Sequence, residues 1–98
     1  MSVGAILFCL VVGVTDGDTL TARCDGVQEH VKVRLAEIGA PEKKQPFGIR
    51  SKQTLSEMCF QRTAELRVVD RDRYGRTVAR IKCDGVDANA EQVRLGMA

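Results

Sequence analysis

Three Asp-Gly pairs, at 16–17, 25–26 and 84–85, cut this chain into short β-rich runs, and that punctuation restricts what it can fold into. Asp-Gly favours tight turns, because glycine takes positive φ freely and aspartate hydrogen-bonds the backbone just ahead of it. Leu10 to Val14 is rich in β-branched residues and runs into Thr15-Asp16-Gly17-Asp18-Thr19. Leu20 to Cys24 reads as the returning strand of that hairpin, closed by Asp25-Gly26. Val31-Lys32-Val33-Arg34-Leu35 alternates with a period of two, so Val31, Val33 and Leu35 face inward while Lys32 and Arg34 face outward.

Gly39-Ala40-Pro41-Glu42 breaks that strand, and Lys43 to Pro46 reads as loop. From Gly48 to Phe60 the period changes: Ile49, Leu55, Met58 and Cys59 fall at helical spacing. Glu65 to Val69 is a further strand, Asp72-Arg73-Tyr74-Gly75 a turn, and Arg76 to Cys83 a fifth strand closed by Asp84-Gly85. Cys-Asp-Gly-Val occurs at 24–27 and again at 83–86, read here as the same turn chemistry at two strand ends and not as a repeat. Asp87 opens a short helix to about Leu95, with Gly96 as its stop. The order β-β-β-α-β-β-α, with no linker, fits one domain over 1–98. The expected class is mainly β (β+α): a five-stranded Greek-key barrel of the OB type with two helices.

Charge excludes a dedicated nucleic-acid coat, since 15 Lys+Arg against 13 Asp+Glu leave only +2. The distribution says more. Between Arg71 and Lys82 stand Arg71, Arg73, Arg76, Arg80 and Lys82 against the single acid Asp72, which suits a phosphate or polyanion ligand. The apolar run from Val3 to Val14 falls short of the about 20 residues that span a bilayer, so a membrane is not expected as a partner. It also has no basic leader region and no small-residue cleavage site, and reads as a buried strand. With no C-x-x-C pair and His30 the sole histidine, the four cysteines speak against a zinc site. Cys9 and Cys24 flank the first hairpin at almost equal distances, which suits a disulfide and an oxidising compartment. All three pairings of four cysteines, and the reduced state, stay open at this point.

Asp16 and Asp18 crowd one turn beside Thr19, an arrangement that a hard cation such as Ca²⁺ or a plain Asx turn would both explain. Arg34, Glu42 and Arg76 form the inventory for phosphodiester hydrolysis. The carboxylate takes a proton from water, and two guanidinium groups neutralise the charge gathering on the phosphate. A metal near Asp18 would add Lewis-acid stabilisation.

In order and spacing, four stretches resemble the staphylococcal nuclease-like (thermonuclease) family. They are Val14 to Leu20, Val33 to Glu42, Asp72 to Arg76 and Asn89 to Ala98, with Phe47-Gly48 and the helix after it. The resemblance implies an OB-fold barrel and Ca²⁺-dependent cleavage of DNA and RNA. It implies that Arg34 and Arg76 are the phosphate-binding catalytic arginines and Glu42 the general base. Asp18 would be a calcium ligand, joined by the Ala40 backbone carbonyl, with Asp16 nearby; Arg73 and Tyr74 would line the nucleotide pocket.

Two departures qualify these implications. The family's loop carries an aspartate where this chain has Gly39, so Ca²⁺ binding is expected to be weak or absent and cleavage impaired. The chain is also expected to stop short of the family's last helix, with a homodimer or strand-exchanged oligomer as one consequence. The alternative to an enzyme is a non-catalytic nucleic-acid-binding or protein-interaction OB module, and a third reading is a small disulfide-bearing structural domain. The cysteines and the resemblance favour a secreted or periplasmic protein, while the missing leader features favour the cytoplasm.

Overall fold

A computed structural model describes residues 3–36 and 48–95. Along the chain run β1 (Ile6–Asp16), β2 (Thr19–Cys24), β3 (Val31–Leu35), α1 (Gly48–Cys59), β4 (Thr63–Arg71), β5 (Thr77–Cys83), β6 (Val86–Asp87) and α2 (Ala88–Arg94). The sheet order is β3-β2-β1-β4-β5-β6, and a parallel pairing of β3 with β5 joins its far strands. The first five strands therefore close into a mixed barrel, the OB architecture. Among the described residues no helix is long and apolar enough to cross a membrane.

β1 makes closure feasible. Its first half, Ile6 to Leu10, pairs with β4, while Cys9 onward pairs with β2. Register shifts at Val11/Gly13 and Val14/Asp16 bend the strand between these two duties. The strand starts at Ile6, within the apolar run from Val3 to Val14 read as a buried strand and ahead of Leu10, where the hairpin reading began. That run is not buried throughout, since Ile6 and Phe8 are exposed. Its outward positions there, Phe8 and Leu10, are apolar, so no alternation marks them. The core lies inside the barrel, where Val11, Leu20, Val33, Leu35, Leu66 and Ile81 are all at most 2% exposed. The inward Val31, Val33 and Leu35 and the outward Lys32 and Arg34 match the period-two reading.

α1 lays Ser51, Leu55 and Cys59, spaced four apart, against the barrel, with Met58 only partly buried. Ser51 on that inward stripe was not foreseen. A disulfide from Cys59 to Cys83 ties the C-terminal end of α1 to β5, and a second joins Cys9 to Cys24, direct register partners on β1 and β2.

The two Cys-Asp-Gly-Val segments do not share a turn. At 24–27 Gly26 alone takes a positive φ of 76°, and the Val27 amide donates to the Cys24 carbonyl. At 83–86 both Asp84 (52°) and Gly85 (85°) are left-handed. That second pattern is the primed hairpin turn, needed because β6 folds straight back on β5. The two-residue β6 went unforeseen.

Candidate functional site

The seam of the barrel builds the site. In the parallel ladder Arg34 lies opposite Val78, between the buried pairs Val33–Thr77 and Leu35–Ala79. Arg34 and Val78 therefore share the outward face, and Arg76 lies two residues before Val78, just ahead of β5. Residues 42 apart in sequence become neighbours only because this seam closes.

Each arginine has a carboxylate nearby, but only Arg76 is hydrogen-bonded to its own. Arg34 Nε lies 4.0 Å from Asp18 Oδ2, and the Thr19 hydroxyl donates to Asp18 Oδ1 at 3.0 Å. The Asp18 carbonyl accepts from the Leu35 amide at 2.8 Å, fixing the hairpin turn against β3. Arg76 Nε donates to Asp72 Oδ2 at 2.7 Å. Asp72 Oδ1 also accepts from the backbone amides of Tyr74 (2.9 Å) and Arg76 (3.0 Å), capping the turn that Gly75, at φ 81°, completes. Partial burial pushes the Asp72 carboxyl up. The Arg76 amide and guanidinium and the Tyr74 amide outweigh it and hold Asp72 below the ordinary carboxylate range. Tyr74, 71% exposed, has the Arg73 and Arg76 guanidinium carbons 5.2 and 5.7 Å from its ring centroid. This ring offers a flat face beside two cations.

Two buried amides hold the scaffold beneath this face; both lie in the family-like stretch Asn89 to Ala98, but the sequence reading gave neither a role. Asn89 Nδ2 donates to the Ala36 carbonyl at 2.6 Å, while its Oδ1 accepts from the Ile81 amide at 2.9 Å. Asn89 thus ties the end of β3 to β5. Gln92 Nε2, three residues on, donates to the Gly17 carbonyl at 2.8 Å and to the Ser51 carbonyl at 3.1 Å. The turn bearing Asp18 is thereby tied to both helices. Gly17 does not use the positive φ expected of Asp-Gly; it is needed because Ser51 leaves no room for a Cβ. The sequence signal was available: Asn89 and Gln92, spaced i and i+3, fall on one face of the short helix, where apolar residues usually lie.

Of the sequence-derived candidates, the structure brings Asp18, Arg34, Arg76, Arg73 and Tyr74 to neighbouring turns and strands of this seam. Asp16 is exposed at the end of the first hairpin, opposite Thr19. Glu42, Ala40 and Gly39 lie outside the described residues. Among the described residues no three His, Cys, Asp or Glu side chains gather into a group that could hold a metal ion. Asp18 alone is a poor fit for Ca²⁺, which takes six to eight oxygens and binds more tightly as ligand charge rises. Its carboxylate is also already engaged by Thr19 and Arg34.

Barrel and seam together define an OB-fold domain with Arg34 and Arg76 on segments that the seam joins, each with a carboxylate nearby. Residues 32–98 match the family model described as staphylococcal nuclease homologue, and the chain belongs to that family. It is 48% identical over 90 residues to an uncharacterized endonuclease of Haemophilus influenzae, covering 92% of this chain and 50% of that protein. Protein ParB of Escherichia coli is 45% identical over 71 residues, covering 72% of this chain and 39% of its own length. A micrococcal nuclease of Shigella flexneri is 36% identical over 97 residues, covering 90% of this chain and 55% of its own length. The chain spans about half the length of the curated relatives it matches.

Proposed function

We propose that this domain hydrolyses phosphodiester bonds in DNA and RNA. What supports the reading is the closing seam, which brings the strand bearing Arg34 beside the start of β5, just after Arg76, with a carboxylate near each arginine. A phosphate bound there meets two planar forks with fixed directions. Water attacks phosphorus and its proton passes to Glu42. The bond to the leaving sugar oxygen breaks, and a guanidinium N–H meets the departing charge. Tyr74 and Arg73 receive the adjoining nucleoside.

Cleavage is proposed to depend on Ca²⁺ that is bound weakly or not at all, and so to be impaired. Asp18 and the Ala40 carbonyl are the ligands that remain where Gly39 supplies no carboxylate. The two disulfides support a protein that works in an oxidising compartment, secreted or periplasmic.

The test is cleavage of single-stranded DNA in millimolar Ca²⁺, with Glu42→Gln as control. The wild type should cleave at least about 100-fold faster, the scale of losing a catalytic proton-transfer group. Equal rates would refute the assignment. Gly39→Asp should raise both Ca²⁺ affinity and rate. Salt-dependent binding with no cleavage by any of the three proteins would instead identify a nucleic-acid-binding module.

A further inference from the structure

Away from the seam, the outer face of β4 and β5 sets two arginines against each other. Arg67 and Arg80 are direct register partners in the antiparallel ladder, and both are exposed. Like charges directly opposite each other destabilise a sheet. The next outward pair, Glu65 with Lys82, has the ordinary opposite-charge composition. Arg80 Nη2 lies 3.9 Å from Asp87 Oδ2, which offsets the repulsion in part. Arg67, Arg80 and Lys82 line a cavity of about 180 Å³ with Ile6, Glu65 and Asp87, so cations outnumber acids there.

A second observation points the same way. Phe8, the register partner of Glu65 on β1, is 61% exposed on this face, and Ile6, opposite Arg67, is 51% exposed. Phe8 is the diagonal neighbour of Arg67 across the ladder, and an exposed ring next to a guanidinium is a combination on which single-stranded bases stack while cations track the backbone. The face is continuous with the seam. Val78, Arg80 and Lys82 alternate outward along β5 and Arg76 immediately precedes the strand, which puts Arg80 about 13 Å along the chain from Arg76 at the rise of a strand. Asp70, opposite Val78, is the acid passed on the way.

We propose that this face is a second nucleic-acid subsite, in which Arg67 and Arg80 hold backbone phosphates and Phe8 stacks a base of the strand bound at Arg34 and Arg76. The identity of the occupant rests on the proposed function; the site itself does not require cleavage.

The experiment is fluorescence anisotropy in EDTA, using labelled single-stranded DNA of about 12 and about 3 nucleotides, above and below the usual footprint of one OB fold. Wild type, Arg67→Gln, Arg67→Gln/Arg80→Gln and Phe8→Ser are compared over a range of salt, with melting temperatures as the check on folding. For the longer strand the double variant should flatten the plot of log affinity against log salt by about 1.4, and the single variant by about 0.7. Phe8→Ser should weaken the longer strand about tenfold without changing that slope. None should alter binding of the shorter strand. A double variant with the wild-type slope and affinity, or a wild type that binds both lengths equally, overturns the subsite. Absence of cleavage by a wild type that shows these length and slope effects overturns only the nuclease reading.

Discussion

Replacing Gly17 by alanine tests whether the turn that carries Asp18 is clamped against α1. Gly17 does not take a positive φ, so alanine carries no conformational penalty there, and its whole cost is contact. An added methyl would overlap Ser51 Oγ and lie 2.6 Å from Ser51 Cβ and 3.1 Å from its carbonyl carbon. The hydroxyl can rotate, but the Cβ and the helix backbone cannot. Ser51 is 5% exposed, and Gln92 spans it and the Gly17 carbonyl. Overpacking of this kind costs about 1–3 kcal/mol. Stretching the Gln92 bond to Gly17 adds about 1 kcal/mol. A total of about 2–4 kcal/mol lowers the melting temperature by about 8–32 °C in a domain of this size. Thermal unfolding followed by circular dichroism measures it, with Ser51→Gly and the double variant completing a cycle. Ser51→Gly should itself cost about 1 kcal/mol yet recover more than that in the Gly17→Ala background. Phosphate or oligonucleotide affinity should fall alongside, because Asp18 moves with the turn. A single variant melting within about 2 °C of wild type, or no recovery in the double variant, would refute the clamp.

Other consequences follow from the same structure. The disulfides close spans of 15 and 24 residues, worth about 3 and about 3.5 kcal/mol by loop entropy, against about 5–15 kcal/mol for a whole domain. Reduction should therefore remove much of the stability, read as a large fall in the urea midpoint. An unchanged midpoint would show that the bridges contribute nothing. Asp72 titrates below its ordinary 3.8 when folded, so its contribution is present above that pH and lost as pH falls through the lower folded value. Asp72→Asn should lower the melting temperature at neutral pH and soften the acid-side decline; parallel curves for the two proteins would contradict this. Asn89→Ala strands the Ala36 carbonyl and the Ile81 amide in the interior and should cost about 2–5 kcal/mol, measured by urea denaturation.

The three Asp-Gly pairs show what local sequence conveys and what it does not. All three lie at turns, but for different reasons. Gly17 makes room for Ser51, Gly26 supplies a single left-handed residue, and Asp84-Gly85 is left-handed at both positions. A dipeptide marks a reversal of the chain, while the surroundings decide what the glycine is for. The alternation from Val31 to Leu35 was legible because one face is buried and the other wet. The start of β1 was not, because Phe8 and Leu10 are apolar on the outward side. Arg34 and Arg76 were legible as candidates, through residue type and a family resemblance. Their adjacency depends on a parallel ladder between distant segments, and no local pattern encodes that. Asn89 and Gln92 were missed because amides read as surface residues until a helix face is known to be inside.

The parallel seam also bears on how the protein assembles. Every other pairing in the barrel is antiparallel, whereas β3 and β5 meet across 44 positions of sequence, as Val33 with Thr77. Non-local pairings of this kind carry the largest loop-closure cost and slow the folding of β-rich domains. An intermediate holding only its hairpins would have both arginines but no site, since each would sit on a separate, open edge. Oxyanion binding should therefore emerge with the final, slowest step of refolding and not with the first gain of strand structure. On the proposed function, gripping one phosphate between Arg34 and Arg76 is a property of the finished barrel alone, since only the seam brings their two segments together.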